Sequence, residues 1–180
     1  AELAKDGVSY VVAADEAMHF ALLDRRLRAF GSHYGALPAH DGLWQSARAT
    51  AHDPLARLAV VPMVLEARGL DVTPHSITRF AAMGDDASAR ILTRIYQDEI
   101  RHVAVGTRWF EAGCKGLNLE STQHWKMLVQ QGFHGALRPP FNDSARAMAG
   151  LTQEYYVGVA TLTGHPQESG LSGTSQKVGP

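Results

Sequence analysis

Two stretches of this chain place the same charged group where a helix asks for core. Residues 15–19 and 98–102 both read Asp-Glu-x-x-His. At helical period, Val8, Val12, Glu16, His19, Leu23 and Phe30 fall on one stripe, and Ile91, Ile95, Glu99, His102, Gly106 and Trp109 fall on another. Each stripe is otherwise fit for burial. A carboxylate buried without a partner is costly, and a metal ion is one of the few partners that satisfies several of them together.

Helices carrying paired Glu-x-x-His are the pattern of di-metal carboxylate four-helix bundles. A third acid fits it: Glu66 is in phase with Leu55, Ala59 and Pro62 on a later helical stretch. Two metals held close together need anionic oxygens to bridge them and neutral imidazoles to complete each one. On this plan Glu16 and Glu99 are the core carboxylates at the reacting centre. His19 and His102 bind one metal each, and Glu66 is a bridging or terminal ligand. Mixed oxygen and nitrogen donors suit two iron ions, or iron with manganese. Asp15 and Asp98, each preceding a ligand Glu, are expected to accept a hydrogen bond from the outer ring nitrogen of the histidine on the facing helix. The competing reading is two surface helices with solvated acids and ordinary histidines. Tyr10, Tyr96 and Trp109 are candidate redox neighbours, though their phase also suits plain helix core, and His40, His52, His75 and His124 lack any paired spacing.

The bundle pattern asks for one more carboxylate, from a helix ahead of the first Glu-x-x-His. Only Ala1 to Asp15 precede Glu16, and Glu2 lies about four turns away on the same helix. Three sources stay open: a first helix missing because the chain is a fragment, a helix from a second copy or partner subunit, or an incomplete site.

At 180 residues with 45% hydrophobic content, one domain with a substantial core is expected. The formal net charge of −1 offers no footprint for nucleic acid and no basic patch for a membrane, so a nucleic-acid partner is unsupported without being excluded. Cys114 is the sole cysteine, which removes intrachain disulfides and thiolate-rich metal sites. No apolar run approaches the roughly 18 residues needed to span a bilayer and no leader opens the chain, so a cytoplasmic location is expected.

The pattern predicts a long helix from about Glu2 to Phe30, closed by Gly31-Ser32 and followed by a Gly-, Pro- and His-rich loop. A second helical region, Leu43 to Arg68, is divided at Pro54, kinked by Pro62 and ended by Gly69. Thr73-Pro74 then opens a short helix. Gly84-Asp85-Asp86 launches the main helix, which is expected to stop near Ala112. Helical character returns over Glu120 to Leu137, and Asn142 or Asp143 caps a short helix over Ser144 to Ala149. The domain is drawn as residues 1–163, and residues 164–180 as a loose polar tail or wrapping arm.

The wording ADEAMHFALLDRRL, YGALPAHDGLW, VPMVLEARGLDVTP, DEIRHVAVGTRWF and RPPFNDSARAMAGL, spread over most of residues 10–151, resembles a bacterial group of uncharacterised ferritin-like proteins. That resemblance implies an all-α ferritin-like four-helix bundle, here without its first helix and with extra C-terminal helices, around a non-haem di-iron centre. Asp98-Glu99-Ile100-Arg101-His102 matches the superfamily's Asp-Glu-x-Arg-His form, whereas Met18 stands in place of the arginine in the first copy. The function so implied is a di-iron oxidoreductase that activates oxygen to oxidise or hydroxylate an unknown small-molecule substrate, with a separate electron donor. Alternatives are a ferroxidase and a non-catalytic helical interaction protein with a buried carboxylate–histidine network.

Overall fold

The computed structural model describes residues 8–162, with side chains over 11–159, and these are helical with no strand among them. The expected helix start at Glu2, the side chain of Tyr10 and the tail from residue 164 lie outside the described residues. Helix α1 spans Val8–Ala29, α2 Gly42–Ala49 and α3 Pro54–Val60, which continues through a π-helical stretch, Val61–Glu66, into α4, Ala67–Ala82. Then follow α5 (Asp86–Gly116), α6 (Ser121–Gly132), α7 (Asp143–Met148) and α8 (Gln153–Leu162).

Helix α5 is the axis on which the others assemble. Against it α1 runs antiparallel, because Asp15 meets His102, His19 meets Asp98 and Arg26 meets Asp85. On another side the α3–α4 rod is also antiparallel, since Leu55 lies over Gly113 and Pro62 over Gly106. A Cβ on Gly106 would stand 2.5 Å from Pro62 Cβ, and one on Gly113 2.6 Å from Leu55 Cδ2, so both glycines serve close approach of the two rods. Packing on Leu55 is also why α5 runs through Gly113 to Gly116 instead of stopping near Ala112. The turn from α4 to α5 uses Gly84 at φ +78° and Asp85, whose side chain accepts the Ser88 N–H at 3.0 Å.

Pro62 does not break its helix. Having no N–H to donate, it sits at the start of a wider turn, and the Ala67 N–H reaches back five residues to the Pro62 carbonyl. The anticipated kink thus takes the form of a π-helical turn that ends at Glu66. The expected stop at Gly69 and restart at Thr73-Pro74 are not found: α4 passes through both. Pro74 removes the donor that would have met the Leu70 carbonyl, and Asn142 Nδ2 supplies a replacement at 3.1 Å. A bond from outside the helix therefore permits what sequence alone argues against.

The dry core lies between α3–α4, α5, α6 and α8, where Met63, Leu70, Val103, Phe110, Trp125 and Tyr156 are buried. Helix α1 is covered differently. Its main contact is α5, and Val11, Phe20, Leu23, Leu27 and Phe30 remain at least 40% exposed.

Candidate metal centre

The two Asp-Glu-x-x-His segments face each other across the α1–α5 contact. The antiparallel pairing crosses them: Asp98 takes His19 Nε2 at 3.2 Å, and Asp15 takes His102 Nε2 at 3.2 Å. Those bonds engage the outer ring nitrogens and leave both Nδ1 atoms aimed into the contact. There His102 Nδ1 comes within 3.0 Å of Glu16 Oε1 and 3.7 Å of Glu99 Oε2. His19 Nδ1 is 3.6 Å from Glu16 Oε1 and 3.6 Å from Glu99 Oε1. The imidazole centroids stand 5.7 Å apart.

Glu66, delivered by the π-helical turn, joins from α4. Donor atoms of Glu66, Glu99 and His102 lie within 4.8 Å of one another, and so do those of Glu16, His19 and Glu99. All five candidate ligands are thereby brought together, with Glu99 common to both sets. The site is buried where the two imidazoles lie, the His19 side chain on α1 and the His102 side chain on α5 being 5% and 2% exposed, and open at Glu16, which is 49% exposed. His19 Nδ1, His102 Nδ1 and Glu99 Oε2 are buried without a hydrogen-bond partner, the 3.0 Å approach of Glu16 lacking the alignment for one. Three polar atoms of ligating type, orphaned and converging, fit a bound cation; a solvated surface cluster does not leave them so.

The electrostatics follow from the crowding. Burial, with Glu99 and Glu16 adding to it, pushes the Glu66 carboxyl up to about 7. For His102 burial acts downward, but the close Glu16 and Glu99 carboxylates and the hydrogen bond to Asp15 outweigh it and raise the imidazole to about 10. Glu16 is held below its ordinary value by its contact with His102, and Asp15 likewise by His102. Asp98 is also held low: burial opposes this, and Arg94, His19 and Arg101 override it. Without a cation, burial and crowding favour the protonated forms of Glu66 and His102.

Two arginines complete the surroundings. Arg94 Nε donates to Asp98 Oδ2 at 2.7 Å, and Arg101 reaches both Asp98 Oδ1 and Asp15 Oδ2, the latter at 3.3 Å. Arg94 was invisible to the motif; its position four residues before Asp98, one helical turn, is the signal that could have found it. The other histidines take no part: His124 stacks on Phe110, and none of the four joins a ligand group among the described residues. Tyr96 accepts a hydrogen bond from Asn142 Nδ2 at 3.0 Å, and Trp109 Nε1 is buried without a partner. Cys114 is buried and free. No helix among the described residues is long and apolar enough to cross a membrane.

Fold and site together define an all-helical protein with a carboxylate–histidine cluster between three helices. Residues 8–157 match the family described as "Protein of unknown function (DUF455)", and the chain belongs to it. An uncharacterized protein of Haemophilus influenzae is 40% identical over 153 residues, covering 82% of this chain and 53% of the relative. The chain spans about half the length of that curated relative. No solved structure matches this chain.

Proposed function

We propose that this chain is the major part of a ferritin-like four-helix bundle holding two iron ions, or iron and manganese, and acting as an oxidoreductase on a small organic substrate. The observation that carries the reading is the set of orphaned donors, His19 Nδ1, His102 Nδ1 and Glu99 Oε2, buried beside Glu16 and Glu66. Glu16, His19 and Glu99 would hold one ion and Glu66, Glu99 and His102 the other. Bound iron would supply redox equivalents and the activation of oxygen. The chain's own residues orient and insulate: Asp98 and Asp15 fix which ring nitrogen of each histidine faces inward, and the buried side around the two imidazoles excludes water. Glu66, with its proton held to about pH 7, releases it as a cation arrives.

The bundle's fourth position is the groove between α1 and α4. Its floor is α5, and it holds a cleft of about 320 Å³ beside Glu16, Glu66 and Glu99, then an apolar one of about 300 Å³ at Leu23, Leu27, Phe80 and Ile91. Two divalent ions against three carboxylates leave one positive charge uncompensated, so the helix that fills this groove is proposed to bring a fourth carboxylate. We propose that this carboxylate comes from polypeptide outside this chain, which the greater length of the Haemophilus influenzae relative accommodates.

Anaerobic loading with Fe(II) followed by metal analysis tests the reading. Two equivalents per chain are expected, and Glu99→Ala should abolish the uptake. A preparation that takes up neither iron nor manganese defeats it. Oxygen consumption that tracks iron added, with no dependence on an organic substrate, would reassign the centre to ferroxidase chemistry.

A further inference from the structure

The two Asp-Glu-x-x-His copies are not electrostatically equal. Asp98 is 1% exposed and takes three donors: His19 Nε2 at 3.2 Å, Arg94 Nε at 2.7 Å on the same Oδ2, and Arg101 Nη2 on Oδ1. Asp15 is 15% exposed and takes His102 Nε2 at 3.2 Å and, from across the helix contact, the same Arg101 Nη2 at 3.3 Å. The difference is written in the sequence. One turn before Asp98 and three residues after it stand Arg94 and Arg101; at the matching places around Asp15 stand Val11 and Met18. The second copy supplies both guanidiniums, and lends one of them to the first.

A carboxylate that accepts the outer N–H of a histidine strengthens the inner nitrogen as a metal donor. Guanidiniums on that carboxylate draw its charge away and compete for the same lone pairs. With two of them on Asp98 and a shared, longer contact on Asp15, His19 is the poorer donor and His102 the better. The carboxylates reinforce this order. His102 is grouped with Glu66 and Glu99, both partly buried, whereas His19 is grouped with Glu99 and the half-exposed Glu16, whose charge is better screened by solvent.

Resting on the two-metal reading above, we infer that Arg94 and Arg101 are positioning residues that make the two cation positions unequal, so that the one at Glu66, Glu99 and His102 fills first and the one at Glu16, His19 and Glu99 second. Arg94 acts on the second position alone, through Asp98 and His19. Arg101 acts on both.

The test is stepwise Mn(II) titration of the metal-free protein, followed by calorimetry and by the electron paramagnetic resonance of bound manganese. Two classes of site separated by at least about tenfold are expected, the range over which outer-shell partners change affinity. His19→Gln should remove the weaker class and His102→Gln the tighter one. Arg94→Met should strengthen the weaker class and bring the two within a few-fold. Equal sites in the unaltered protein overturn the inference while leaving the two-metal reading in place, as would a tighter class lost with His19. No manganese uptake at all removes the two-metal reading and the filling order with it. The inequality of the two arms is read separately, without metal, from the ring-nitrogen NMR shifts of the histidines. Arg94→Met should move His19 and leave His102 where it is, and Arg101→Met should move both. If neither substitution moves either ring, the arginines do not act through the aspartates, whatever the metal content. Loss of folding in a variant would be visible in the same spectra, and Arg94→Lys, keeping the charge on Asp98, should restore the original separation.

Discussion

Among the described residues, two clusters of buried charge resolve their polar atoms in opposite ways. Asp71 on α4 and Arg146 on α7 have no exposed side-chain surface and form a two-pronged pair, Nε to Oδ1 at 2.8 Å and Nη2 to Oδ2 at 2.7 Å. Asp71 is filled further by the Asn142 N–H at 2.9 Å and by Arg68 at 3.4 Å, and the Arg146 guanidinium packs against the Phe141 and Tyr156 rings. Only Arg146 Nη1 lacks an acceptor. Around Glu99 the count goes the other way. Both inner imidazole nitrogens and one carboxylate oxygen have nothing to bond, although they lie within reach of one another. A charge whose bonding capacity is used up within the fold holds elements together. One whose capacity is left over, beside others in the same state, is what the proposed cations would satisfy.

The largest expected effect tests the closed pair. Arg146→Met leaves Asp71 buried with only the 3.4 Å Arg68 contact to offset its charge and should cost about 3–5 kcal/mol in urea unfolding. Adding Asp71→Leu should recover part of it, because the stranded charge is then gone. A loss under about 1 kcal/mol for the single variant would mean that the pair is not the tie between α4 and α7, and the contrast with the cluster would lose one of its sides.

Next comes the open cluster, where removing an acid should do the reverse. Without metal, Glu99→Gln takes away a charge that has no satisfied place and should leave stability within about 1 kcal/mol of the parent. With Mn(II) at about a hundredfold over the parent's dissociation constant, the parent should gain about 2.7 kcal/mol and the variant almost nothing. The measurement is thermal unfolding with and without metal. If Glu99→Gln is severely destabilising in the absence of metal, the cluster is a structural network like Asp71–Arg146.

That distinction shows where sequence reasoning reaches and where it stops. Glu16, His19, Glu99 and His102 were legible because helical period puts charge on an apolar stripe twice, and Glu66 because it shares phase with Leu55 and Ala59. Their convergence is found in the structure. The crossing of Asp15 and Asp98 onto the opposite histidines was also readable, given antiparallel helices. Asp71 and Arg146 were not: they lie 75 residues apart and sit in no repeated spacing. The passage of α4 through Gly69 and Pro74 escapes local sequence rules for the same reason. Local rules count the donor that Pro74 lacks, and nothing local reveals that Asn142, far along the chain, restores it.

A pH dependence sharpens the comparison at a smaller scale. The Glu66 carboxyl is raised from 4.5 to about 7 by burial and by Glu99 and Glu16, so the folded chain holds this proton more tightly than the unfolded one. Such a group contributes its stability in full below pH about 4.5 and loses it as pH climbs through about 7. His102, raised to about 10, has the same sign over a higher window, from its ordinary 6.5 upward. Metal-free protein should therefore lose about 2 kcal/mol between pH 5 and 7.5 on account of Glu66. Glu66→Gln should flatten that slope and leave the one above it. Stability that rises across the interval in the parent, or a slope unchanged by the substitution, would mean that Glu66 does not hold its proton there.

The smallest effect concerns how the closed side pardons its proline. Asn142→Ser keeps an oxygen to cap α7 but withdraws the Nδ2 donor from the Leu70 carbonyl and from Tyr96. An orphaned carbonyl under α4 should cost about 1 kcal/mol. Pro74→Ala restores the backbone N–H that a helix would aim at the same oxygen, so in that background Asn142→Ser should cost less, with a coupling of about 0.5–1 kcal/mol in a double-mutant cycle. If the two substitutions add without coupling, Asn142 and the missing proline donor are unrelated, and the continuity of α4 through Pro74 rests instead on its packing along α5.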